Sequence, residues 1–270
     1  MTPHPTTGEY SDSSLSHATA SEQRRLRVLQ DLWGPFSRRH LSRLDIQPHW
    51  SCLELGAGAG FMARWLAEQV PDGTVVAADL DIRMLQATPG NLRAVQHDVR
   101  HDDFPRASFD LIYARVLFEH LPDRERILSK VTEWLRPGGH LVIEGIDITP
   151  GTHSPHPALR KMTTALTQIL TDEIGTDFGF IRTLPRWLAL NGFPEATADF
   201  TTMTVGDGGA GEAFFLSNLE QLTPALTHRK LLTSAEVSDF HAWLAQPGAV
   251  DVAALMSCVH ATTAPGSNML

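Results

Sequence analysis

The stretch Glu54-Leu55-Gly56-Ala57-Gly58-Ala59-Gly60 constrains this chain more than any other. A short apolar run, Trp50-Ser51-Cys52-Leu53, leads into it, and apolar residues at helical spacing follow: Phe61, Met62, Trp65, Leu66 and Val70. That order reads as strand, glycine turn and helix, the plan of a ligand-binding βα unit. A residue without a Cβ can take positive φ and lets a ligand pack against bare backbone. The first turn of the following helix offers amides with no partner of their own. A tight turn with no ligand would use the same residues, so spacing has to decide. A dinucleotide fingerprint, G-x-G-x-x-G, needs glycine at position 61, and that residue is Phe61. The loop instead reads acidic-x-G-x-G-x-G and is headed by Glu54. A carboxylate there opposes a pyrophosphate and suits a ligand that carries an ammonium group.

Strand and helix patterns alternate beyond this unit. Strands are expected at 50–55, 74–79, 92–97, 109–114 and 140–146, and helices at 61–70, about 82–87 and 123–135. The last opens on Asp123, a good N-cap, and stops at Pro137-Gly138-Gly139. Such alternation predicts a parallel sheet covered by helices on both faces. Before it, a helical pattern runs from Ser21 to Ile46 and should break at Gly34-Pro35. Residues 1–20, rich in Ser, Thr, His and Pro, read as a flexible arm. After Asp147 comes a loop with His153 and His156, then an amphipathic helix through Leu159, Met162, Leu166, Ile169 and Leu170. Further elements are a helix starting near Pro185, a β-like stretch at 196–205, helices at about 212–222 and 234–245, and a strand at about 251–262. Thr233-x-x-Glu236 forms a capping box.

Charge and composition exclude several classes. The formal net charge is −9 and no dense basic run occurs, which argues against nucleic acid as a partner. Apolar runs fall far short of the roughly 20 residues needed to span a membrane. The beginning of the chain has neither a basic n-region nor an apolar h-region, and only Cys52 and Cys258 are present. Together these predict a reduced, cytoplasmic protein.

Two more acidic residues stand at strand ends, where open α/β sheets bind ligands. Asp79 ends the buried strand Val75-Val76-Ala77-Ala78 and can accept hydrogen bonds from both hydroxyls of a ribose, with Leu80 beside it. An N-cap aspartate for the next short helix would look alike. Asp98 ends the third strand, where its carboxylate can accept from an adenine amino group while the Val99 amide serves a ring nitrogen.

The loop 54–60, Asp79, Asp98, Phe109-Asp110-Leu111-Ile112-Tyr113-Ala114-Arg115 and Leu135-Arg136-Pro137-Gly138-Gly139-His140-Leu141-Val142-Ile143 together resemble the successive motifs of class I S-adenosylmethionine-dependent methyltransferases. Arg115-Val116-Leu117-Phe118-Glu119-His120-Leu121-Pro122 is similar to the small-molecule branch related to quinone biosynthesis, and Glu22-Gln23-Arg24-Arg25-Leu26 fits bacterial natural-product members. The resemblance implies a Rossmann-like, doubly wound α/β sheet of seven strands in the order 3-2-1-4-5-7-6, with only strand 7 antiparallel. Residues 1–46 would form an N-terminal arm and helices over the cofactor. Residues 47–270 would form the methyltransferase domain, with helical lid or substrate insertions at about 148–182 and 206–247. The arm and the 153–174 region are expected to close over the ligand.

What the resemblance implies chemically is S-adenosylmethionine bound by Glu54, Gly56, Ala57, Gly58, Gly60, Asp79, Leu80, Asp98, Val99 and Arg115. Arg25 would pair with the carboxylate of its methionine part, and Tyr10 would add an aromatic contact. A sulfonium methyl is already activated, so the enzyme mainly holds a nucleophile in line with it, and a base matters only if that nucleophile is protonated. Candidate bases are His153 and His156, each of which also reads as a surface or structural group, and Glu144 and Asp147 at the end of strand 5, which could instead bind substrate. His120 reads as structural. No His/Cys cluster has metal-site spacing, so no metal is implied. An Asp/Asn-Pro-Pro-aromatic motif near 113–116 is absent and neither cysteine follows a proline, which argues against two nucleic-acid subclasses. The expected reaction is methyl transfer to an O, N or C nucleophile of a small, partly apolar metabolite of secondary metabolism. A homologue that binds the cofactor but catalyses a cyclisation or rearrangement, or only binds, is the alternative. A homodimer is compatible with either.

Overall fold

The computed structural model describes residues 20–85 and 90–264 of the 270 in the chain. In chain order the elements are α1 (Ala20–Leu41), β1 (Ser51–Leu55), α2 (Phe61–Gln69), β2 (Thr74–Asp79), β3 (Leu92–Gln96), β4 (Phe109–Arg115), α3 (Arg124–Glu133) and β5 (Leu135–Asp147). Then come α4 (Thr149–Thr152), α5 (Pro157–Ile174), α6 (Phe180–Leu190), β6 (Thr197–Val205), α7 (Ala210–His228), α8 (Ser234–Leu244) and β7 (Asp251–Thr262). The strands form one sheet in the order β3-β2-β1-β4-β5-β7-β6. β7 runs antiparallel to both its neighbours, and the remaining pairs are parallel, as expected.

Period-two alternation along the strands sorts the core into two layers. In β4, Leu111 and Tyr113 join Met62, Leu66, Leu159, Met162, Phe215 and Phe240 on the face covered by α2, α5, α7 and α8. Ile112 and Ala114 point the other way, to Ile127, Leu128 and Val131 of α3 and Ile181 and Leu184 of α6. Cys52 and Cys258 are both free and buried. Among the described residues no helix is long and apolar enough to cross a membrane.

Three sequence expectations are corrected by packing. α1 runs unbroken through Gly34 and Pro35. An internal proline costs a helix about 3 kcal/mol, but Trp33, Phe36 and Leu41 are buried in the core shared with the sheet and hold the turn together. α6 begins at Phe180 rather than near Pro185, because Phe180 and Ile181 are buried and draw the helix start forward. α5, expected to belong to a lid, is a core helix: Leu159, Met162 and Ile169 are fully buried. α3 ends at Glu133, ahead of Pro137-Gly138-Gly139, which fall inside β5, and a register shift between Phe109 and Leu111 of β4 absorbs the extra residues.

Candidate functional site

At the carboxyl ends of β1 to β4 a single pocket gathers Gly56, Gly58, Asp79, Leu80, Asp98, Val99 and Arg115 from the sheet side. Arg25, Leu26 and Leu29 of α1 roof it, and Leu117, His120 and Ile174 close its far end. The glycine loop makes the floor. Gly56, Gly58 and Gly60 have φ of +68°, +52° and +70°. Both Gly56 and Ala57 donate their amides to the Ala78 carbonyl, which ties the loop to β2. At Gly60, the N-cap of α2, the left-handed φ favours glycine, and a Cβ would also push aside the end of the Leu85 side chain, 2.5 Å away. Ala57 and Gly60 shape the loop without lining the pocket, the Gly60 amide donating to the Ala57 carbonyl.

Asp79 is buried, and its carboxylate accepts from Gly58 N at 2.7 Å and from Asp81 N at 3.0 Å. The two amides aim it into the pocket and leave lone pairs for a diol. Asp98 is more heavily engaged. Oδ1 accepts from the Arg100 amide and Nε, and Oδ2 from Arg100 Nη2 at 3.0 Å and His101 Nδ1 at 2.8 Å. Partial burial would raise its pKa, but the Arg100 and His101 hydrogen bonds outweigh this and hold it well below the carboxylate range. An adenine amino group would have to compete with those donors, and Arg100 itself lines the pocket. Sequence reading did not point to Arg100.

Beneath the loop lies Glu54, on β1 and buried, with Oε2 meeting no hydrogen-bond partner. Burial pushes its carboxyl up to about 8, against the pull of the Arg115 guanidinium. Arg115 donates from Nη2 to Gln30 Oε1 at 3.3 Å, whereas its buried Nη1 has no partner. Arg115 lines the pocket and Glu54 lies buried behind the loop, and among the described residues Glu54 Oε2 and Arg115 Nη1 are both left without a partner. Arg25 is buried on the roof. Val116, next to Arg115, has φ of +50°, an outlying conformation for a β-branched residue, and its amide is pinned to the Glu144 carbonyl at 2.8 Å.

The four expected bases lie elsewhere. His153 is exposed at the end of α4 and bonds the Thr149 carbonyl. His156 packs against Trp243 with ring centroids 5.0 Å apart and the planes tilted by 38°. Asp147 is buried in an ion pair with Arg182 at 2.9 Å. Glu144 is fully buried under α1, where Ser37 Oγ and Tyr113 Oη donate to its Oε2. None of the four lines the pocket. The insertion that carries both histidines packs on β7, so being near the sheet's ligand end in sequence did not bring them to the ligand. His120, read as structural, does line it, with Nδ1 2.9 Å from the Thr176 hydroxyl. Burial and then the charges of Arg25 and Arg124 push its imidazole down to about 3, so it is neutral at physiological pH. Tyr10 lies outside the described residues.

Comparison with known proteins follows the same map. A family model described as a methyltransferase domain matches residues 53–143. Methyltransferase str3 of Strobilurus tenacellus is 31% identical over 153 residues, which is 53% of this chain and 55% of that protein. A trans-aconitate 2-methyltransferase of Deinococcus radiodurans is 34% identical over 139 residues, covering 49% of this chain and 50% of the relative. The chain thus spans about half the length of the curated relatives it matches. Among solved structures, a Haemonchus contortus phosphoethanolamine N-methyltransferase 2, in complex with phosphomonomethylethanolamine and S-adenosylhomocysteine, superposes with a TM-score of 0.55 at 17% identity. That match covers 90% of this chain and 52% of the other.

Proposed function

We infer that this chain, built around a class I S-adenosylmethionine-dependent methyltransferase domain, holds S-adenosylmethionine in the loop-floored pocket and transfers its methyl group to a small metabolite. The observation that carries this is the convergence of the 56–60 loop, Asp79, Val99 and Arg115 on one cavity within the matched domain. Asp79 would take the ribose hydroxyls, and Glu54 and Arg115 the amino-acid end, with Arg25 able to add a second cation. When bound, the cofactor supplies an activated methyl group. The protein's part is to orient a nucleophile and exclude water, which α1 and the apolar side chains Leu26, Leu29, Leu117 and Ile174 do from above.

The pocket also narrows the acceptor. A general base working at neutral pH needs a pKa near 7, and His120, pushed down to about 3, is too weak to serve. It can still fix a hydrogen-bonding group of the acceptor. The best-suited nucleophile arrives without a proton to lose, such as a carboxylate oxygen. The acidic balance of the chain, −9, supports a small molecule over nucleic acid as the partner. Calorimetric titration with S-adenosylhomocysteine, followed by turnover assays on carboxylate-rich metabolite fractions, tests the reading. S-adenosylhomocysteine should bind and also be formed. The weakness of His120 as a base favours one second reading, in which the protein binds the cofactor but carries out a cyclisation, a rearrangement or no reaction. Tight binding with no product would select it. Binding of NAD in place of S-adenosylmethionine would overturn both.

A further inference from the structure

One row of polar side chains crosses the sheet away from the pocket. Glu144 of β5 is the cross-strand partner of Cys258 on β7, and Cys258 is in turn the partner of Asp199 on β6. Register partners in adjacent strands point to the same face, so the three stand side by side. His40, near the end of α1, comes down onto them, with Nε2 3.0 Å from Asp199 Oδ2. One ligand-type atom each from His40, Glu144 and Cys258 lie within 4.8 Å of one another, and all three residues are buried.

The surroundings prepare these atoms as ligands. His40 Nδ1 faces the Phe36 carbonyl at 2.9 Å, which as a donor leaves the lone pair on Nε2. Asp199 Oδ2 also accepts from Arg43 Nη1 at 3.2 Å, and an ion here would take the place of the hydrogen that Nε2 shares with that oxygen. Glu144 Oε2 accepts from both Ser37 Oγ at 2.5 Å and Tyr113 Oη at 2.6 Å, while Oε1, fully buried, has no partner. A polar network made only for packing would give that oxygen a donor.

We propose that His40 Nε2, Glu144 Oε1 and Cys258 Sγ form a binding site for a borderline divalent cation such as Zn²⁺, with Asp199, bonded to His40 and Arg43, at its edge. A thiolate, an imidazole and carboxylates are the donor set that zinc prefers, at about 2.0–2.3 Å in a tetrahedron. Three protein ligands already lie within 4.8 Å of one another, and water would complete the tetrahedron. Binding releases the Cys258 thiol proton to solvent, because the thiolate is the ligand. Arg115, the cross-strand partner of Glu144 on β4, offsets the excess negative charge of the filled site. Asp199, with 58% of its side chain exposed, is the route from water. The ion would clamp α1, which roofs the pocket, to the sheet. No sequence spacing reveals the site, since its members come from four separate elements.

The test uses the full chain, stripped with a chelator and desalted. Zn²⁺ is titrated by calorimetry and Co²⁺ by absorbance. One equivalent of zinc should bind, and cobalt should give a thiolate charge-transfer band that survives Cys52→Ser and vanishes in Cys258→Ala. His40→Gln and Asp199→Asn should weaken zinc by about tenfold or more. Asp199 is exposed, so its variant probes the site without a cavity in the core. Failure of the wild-type chain to bind stoichiometric zinc would overturn the proposal. So would wild-type affinity in both His40→Gln and Asp199→Asn, or a cobalt band that persists without Cys258.

Discussion

The Asp79 carboxylate accepts the Gly58 amide at 2.7 Å, so the end of β2 and the glycine loop after β1 form one unit. Replacing Asp79 should act on both. Asp79→Ala is predicted to weaken S-adenosylhomocysteine by at least tenfold, since losing two hydrogen bonds to a charged acceptor costs about 1.5–3 kcal/mol. Calorimetry on the variant checks this, and unchanged affinity would remove the ribose assignment.

Glu54 gives the second prediction. Its carboxyl, raised to about 8 by burial against the pull of Arg115, is largely protonated at neutral pH in the empty protein. An incoming ammonium group favours the ionised form, so cofactor binding should release a proton, and affinity should rise with pH up to about 8. Titrations in buffers of different ionisation enthalpy count that proton. Glu54→Gln should abolish both the release and the pH slope.

Stability should also depend on pH, through Glu119. Its carboxyl is buried, accepts the Ile146 amide, and is pushed up to about 7 by desolvation. A carboxyl raised in the folded state adds stability below its unfolded pKa and loses it as pH rises through the folded value. The loss therefore falls between about 4.5 and 7 and is of order 3 kcal/mol at most. His120 and His260, pushed down to about 3 and about 4 by burial, slope the other way below their ordinary value. The two histidines outweigh Glu119 up to about pH 6.5, and above that Glu119 and Glu54, raised to about 8, both lose stability. Glu119→Gln should therefore steepen the rise in melting temperature below the peak and lessen the decline above it. A parallel decline in wild type and variant would contradict the assignment.

Gly60→Ala should damage the loop by geometry alone. The added Cβ meets Leu85 Cδ2 at 2.5 Å on a backbone with φ of +70°. We expect a loss of about 1–3 kcal/mol in stability and weaker cofactor binding, measured by denaturant titration and calorimetry. Gly138→Ala, which has positive φ but open space around it, should lose less.

Local patterns in the sequence carried much of this structure. The glycine loop, Asp79 and Val99 each sit at a strand end defined by neighbouring residues, and the βα alternation placed those ends together. β7 was legible to the residue, because its apolar run has clear boundaries at Asp251 and Thr262. Features set by distant packing were not legible. The continuity of α1 through Pro35 depends on burial of Trp33 and Phe36, and the engagement of Asp98 depends on how Arg100 folds back. His153 and His156 have the right chemistry, but α4 and α5 pack on β7 and carry them away. The juxtaposition of His40, Glu144, Asp199 and Cys258 has no local signature at all.

The unbroken course of α1 has a consequence for ligand exchange. Its second half is anchored by Trp33, Leu41 and the His40–Asp199 contact, while its first turns carry Arg25, Leu26 and Leu29 over the pocket. With no hinge along its described length, α1 would uncover the pocket by unwinding its first turns and parting the Arg24–Glu220 ion pair to α7, a local event that leaves the sheet untouched. Release of the spent cofactor would then be timed by helix fraying, and a stronger N-terminal cap on α1 would slow turnover while leaving the chemical step as it was.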